Sequence, residues 1–93
     1  MIPIHKLARL PAGQRRRKLA LILAGYERTG LGDAAYILAL VSLALEDPKI
    51  GETERGEILS KKGAVEAVQG SGPELVYRLC NSCRHALLSA AGA

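Results

Sequence analysis

Aromatic side chains are nearly missing from this 93-residue chain, which has no Phe, no Trp and only Tyr26, Tyr36 and Tyr77. That shortage excludes a surface on which nucleobases could stack. It also leaves the core to Leu, Ile, Val and Ala, which suit helices better than a sandwich of sheets. Long apolar runs are missing too. Residues 19–24 form a run of six and residues 34–45 a run of twelve with Ser42 inside, whereas a membrane-spanning helix needs about 20. The basic residues before the first run imitate the start of a signal peptide. That run passes straight into Gly25, Tyr26, Glu27 and Arg28, however, with no small-x-small cleavage site. A soluble, cytosolic chain with no membrane contact is expected. Two cysteines are too few for a disulfide scaffold, and in the cytosol they are expected as reduced thiols.

No stretch of four to eight residues alternates like a strand. What is present is helical punctuation, and it predicts an all-α fold: one domain over residues 1–93, a compact bundle of four to five short helices with no sheet. Hydrophobic residues make up 48% of the chain, which excludes a disordered tail. Pro3 opens a short helix ending near Leu10, and Pro11 with Gly13 breaks it. A second helix is expected from about Gln14 to Arg28, stopping at Thr29 and Gly30. Asp33 caps a third that carries residues 34–45 and ends before Pro48. Thr53 is placed as the cap of a fourth, through Lys62 to Gly63, with a further short turn of helix over residues 64–69. Pro73 opens the last helix, which runs to about Ala90.

The third helix is apolar on every side except at Ser42, so it must be surrounded. It is either the central helix of a monomer or a helix partly covered by a second copy, and so domain size makes a homodimer an open expectation. Charge is unevenly spread. Residues 1–28 carry seven bases and one acid, 7 − 1 = +6, and residues 29–60 carry two bases and six acids, 2 − 6 = −4. The positive end suits a polyanion or the acidic segment of another copy.

Cys80, Cys83 and His85 invite metal, haem or redox chemistry. Arg84 stands where a c-type haem motif has its His. No strand precedes the pair, and the helix begins about two turns before Cys80, away from the dipole end that would lower a thiol pKa. At about 100° per residue, Leu75, Val76, Leu79, Cys80, Cys83, Ala86, Leu87 and Ala90 share one arc, while His85 points roughly 160° away from Cys83. Both thiols are therefore expected in the core and His85 in water. No metal or other cofactor is expected.

Arg15, Arg16, Arg17 and Lys18 open the second helix, where cations oppose the dipole. They are either a solvated face balanced by acids of the middle segment or contacts for nucleic-acid phosphate. A second phosphate cradle is suggested by Gly70, Ser71, Gly72 and Pro73, where free amides and a helix start converge. Residues 64–80 resemble the helix-hairpin-helix motif, which grips a DNA backbone without reading sequence. The resemblance implies phosphate contacts from the amides of Gly70 and Gly72, and Lys61 and Lys62 could add charge nearby. Ser71 and Glu74 depart from the motif's usual aliphatic and basic residues.

No acid/base pair, Ser-His-Asp arrangement or P-loop stands in the sequence, and no catalytic residue is assigned. Two readings follow. One is a small non-catalytic regulator or adaptor acting through contact with itself or another protein. The other is a sequence-independent nucleic-acid-binding module using the basic helix and the glycine turn.

Overall fold

The computed structural model describes residues 2–29, 33–67 and 73–92. Five helices follow one another: α1 (Ile4–Ala8), α2 (Ala12–Thr29), α3 (Ala34–Leu45), α4 (Glu52–Ala67) and α5 (Pro73–Ala91). No strand occurs among the described residues, so the fold is the expected all-α bundle. The Asp33 side chain accepts the Ala35 amide at 3.0 Å and caps α3. The Pro11 carbonyl accepts the Arg15 amide at 2.8 Å and starts α2. α1 ends at Ala8, ahead of Pro11 and Gly13 as expected, with Gly13 already the second residue of α2, whereas Gly63, expected to end a helix, lies inside α4. The expected short turn over residues 64–69 is, as far as Ala67, the end of α4. Thr53 sits within the first turn of α4 and is not its cap.

The core is built from aliphatic side chains of every helix, among them Leu7, Leu19, Leu23, Leu40, Ile58 and Leu87. α3 touches each of the other four helices, and only Ala35 and Ser42 along it are exposed. Its apolar surface is thus satisfied within one chain, and α3 supplies no ground for a dimer. α5 lies along α2 and also packs on α4 and α3. Tyr36 anchors the N-terminal segment, donating from its hydroxyl to the Ile2 carbonyl at 2.5 Å and meeting Tyr26 edge-on.

One charged pair is buried in this apolar packing. The Arg16 guanidinium grips Asp47 with two hydrogen bonds, 2.6 Å from Nε and 2.8 Å from Nη2. Arg16 is 7% exposed and Asp47 5%. The Asp47 carboxylate also accepts the Lys49 amide at 3.0 Å, and the Arg55 guanidinium donates to the carbonyls of Leu45 and Asp47. The turn between α3 and α4 is therefore tied to both α2 and α4. The Arg16 hydrogen bonds hold the Asp47 carboxyl below its usual range, against the opposing push of burial.

Removing one partner leaves the other charge buried and unpaired. Asp47→Asn or Arg16→Gln is expected to cost about 3 kcal/mol in a urea melt, whereas the double change Arg16→Met/Asp47→Leu costs less than either. Because the folded Asp47 value is depressed, its stabilisation is complete above the ordinary carboxylate range. It disappears as the pH falls through the folded value. Between about pH 7 and about pH 3 the wild type should therefore lose more stability than Asp47→Asn.

Candidate interaction groove

Arg16 must point inward to reach Asp47, and Leu19, Ala20 and Leu23 are buried with it. At about 100° per residue this turns Arg17, Leu21, Ala24 and Arg28 away from the core. They stand four, three and four residues apart, one stripe along α2. Tyr77, Arg84 and Leu88 form the matching stripe on α5. A cleft of about 420 Å³ joins Leu21, Ala24 and Arg28 to Tyr77 and Arg84. A second, of about 230 Å³, joins Arg17, Leu21 and Ala24 to Arg84 and Leu88. They share three residues and form one groove between antiparallel helices.

Glu27 fastens the groove wall. Its carboxylate accepts Arg84 at 2.6 and 3.2 Å and Asn81 at 2.5 Å. The Arg84 hydrogen bond, backed by Asn81, holds the Glu27 carboxyl low despite burial. The apolar side chains above this polar wall stay in water: Leu21 is 68% exposed, Leu88 50% and Tyr77 47%.

The expected phosphate residues are dispersed. Arg17 and Lys18 are exposed and Arg15 is half-buried, donating to the Ala8 carbonyl at 2.9 Å. Arg16 is a correction: its side chain is enclosed and spent on Asp47, so the basic run is not one solvated face. The Lys61 ammonium donates to the Ser82 hydroxyl, and Lys62 pairs with Glu66 at 3.3 Å. Gly70 and Gly72 lie outside the described residues.

Cys80 and Cys83 are buried on the core face of α5, and His85 is exposed on the other side. Burial pushes the Cys80 thiol up to about 11 and the Cys83 thiol up to about 12, so neither is a thiolate at neutral pH. A polar cleft between α4 and α5 gathers Glu54, Glu57, Lys61 and His85. Among the described residues, no group of three or more His, Cys, Asp or Glu is placed to hold a metal ion. Nor is any helix there long and apolar enough to cross a membrane.

No local motif in the sequence marks Leu21, Glu27, Tyr77, Arg84 and Leu88 as a site. Their signal is a spacing of four, three and four on α2 and of seven and four on α5, legible only once Arg16 is known to face inward.

Both thiols are expected to resist a thiol-reactive disulfide reagent in the native protein and to react after denaturation. Cys83→Ser should lower stability by about 1–3 kcal/mol in a urea melt, because the new hydroxyl is buried among apolar neighbours. Comparison with known proteins finds no match for this chain: no family model, no curated protein and no solved structure.

Proposed function

We propose that this chain is a small non-catalytic protein of the cytosol that works as a regulator or adaptor through protein–protein contact. Its first partner is a second copy of itself, seated in the α2–α5 groove. The carrying observation is the exposure of Leu21, Leu88 and Tyr77 along one groove while the core beneath is closed. Apolar surface gathered in one place and rimmed by charge marks a contact site. Fully burying a leucine contributes roughly 1.5–3 kcal/mol, and Tyr and Arg are the residues that most often anchor such contacts.

A second reading has its own support. Lys6, Arg9, Arg17 and Lys18 are exposed at the α1–α2 end. The one acid of residues 1–28, Glu27, is already held by Arg84 and Asn81. That leaves an uncompensated positive surface suited to nucleic-acid phosphates, independent of the helix-hairpin-helix resemblance.

Sedimentation at rising concentration tests the first reading. The wild type should form species above the 9.9 kDa chain mass, and Leu21→Glu should abolish them without loss of helical circular dichroism. Titration with random duplex at two salt concentrations tests the second. Binding that weakens steeply with salt and is lost in Arg17→Gln/Lys18→Gln would support it, and absence of binding at low salt removes it.

A further inference from the structure

The groove leaves open which surface of the second copy it receives. A groove laid on a groove would bring Arg17 and Arg28 against the same two cations, Arg84 being already neutralised by Glu27, so like charges would face each other. The surface that fits must be narrow, apolar at its centre and acidic at its ends.

One face of α4 has that form. Glu52, Gly56, Leu59, Gly63 and Glu66 follow at spacings of four, three, four and three residues, a single stripe of the helix. Leu59 at its centre is 51% exposed. Gly56 and Gly63 flank it, and a Cβ built on either meets nothing within 4 Å. Both glycines lie inside a helix, where glycine is less stable than alanine. The fold has room for a side chain at each, so packing within the chain does not account for them. Their bareness leaves Leu59 as the one knob on a smooth strip and lets another helix approach closely. The same helix buries Ile58 and Val65, about 100–120° round from Leu59, in the core, and no residue of the stripe lines the groove of its own chain.

The charges match the groove end for end. Glu52 and Glu66 are 14 residues apart, about 21 Å along the helix, and Arg17 and Arg28 are 11 apart, about 16 Å. Long arginine side chains bridge the difference. Glu66 already pairs with Lys62 at 3.3 Å, but the Glu66 side chain is itself 52% exposed, and a single i,i+4 pair of this kind is worth little enough to exchange.

We propose that the Glu52–Leu59–Glu66 face of α4 is the surface that enters the α2–α5 groove of a second copy, with Leu59 between Leu21 and Leu88 and the two glutamates against Arg17 and Arg28. This rests on the reading of the groove as a seat for another copy. The two surfaces are different patches of one chain, so the contact is heterologous, and each copy can give one and receive one.

Complementation tests this. Leu21→Glu spoils only the groove and Leu59→Arg only the face, and both positions are exposed enough to keep the fold, checked by circular dichroism. Leu88→Glu replaces Leu21→Glu should the latter lose helix. Each variant alone should sediment as a monomer, and an equal mixture should restore a one-to-one complex, because an intact face meets an intact groove. In the same way, Arg17→Glu/Arg28→Glu mixed with Glu52→Lys/Glu66→Lys should associate while each alone does not. Association of Leu59→Arg at wild-type strength, with Leu21→Glu monomeric, would overturn the α4 face and leave the groove reading standing. Two monomeric variants that do not complement would also overturn it, since one intact face and one intact groove would then not suffice for contact. A wild type monomeric at every concentration would overturn both.

Discussion

The bidentate contact between Arg16 and Asp47 is the constraint on which the outer surface depends. A guanidinium and a carboxylate withdrawn from water tolerate little displacement, because each is the other's compensation for lost hydration. Arg16 therefore sets the rotation of α2 about its axis. With Arg16, Leu19, Ala20 and Leu23 inward, Arg17, Leu21, Ala24 and Arg28 have no course but outward. The same carboxylate takes the Lys49 amide, and Arg55 takes the carbonyls beside it. The rotation of α2 and the departure of α4 from α3 are thus decided at one point.

Acids are scarce in the first 28 residues, and the use of the few within reach decides what the basic surface can do. Asp47 removes Arg16 from it, and Glu27 removes Arg84. What remains exposed divides in two. Arg17 and Arg28 border the apolar groove, whereas Lys6, Arg9 and Lys18 lie on the rest of the N-terminal surface. The same chain can in this way present a charged rim to a helix and an adjoining positive field to a polyanion, with Arg17 shared between them.

Much of the fold was legible in local chemistry. Asp33 caps, Pro73 opens a helix, and the arc through Leu79, Cys80, Cys83 and Leu87 is buried as its spacing implied. The misreadings share one cause. Gly63 reads as a stop because glycine disfavours helix by about 1 kcal/mol, but the packing of Ile58 and Val65 on either side of it outweighs so small a preference. Residues 15–18 read as one solvated run balanced by the acids of the middle segment; Asp47 is such an acid, but it stands 31 residues from Arg16, and no local pattern announces that the two are buried together. The groove escaped notice for the same reason: its stripes are visible in the spacing, but which way they face is set by that distant carboxylate.

A domain of this size has little stability to spare, which gives weight to features that do nothing for folding. Leu21 and Leu59 leave their side chains in water, and Gly56 and Gly63 weaken the helix that carries them. Each alone is ordinary, since isolated surface leucines need no explanation. Their arrangement is a different matter. The leucine of α2 stands between arginines, and the leucine of α4 stands between glycines and, beyond them, glutamates. Steric relief, apolar surface and charge sign all change together from one helix to the other, in the sense that makes each the counterpart of the other. Packing within a single chain places no such demand on surfaces that do not line one another, whereas contact between copies does.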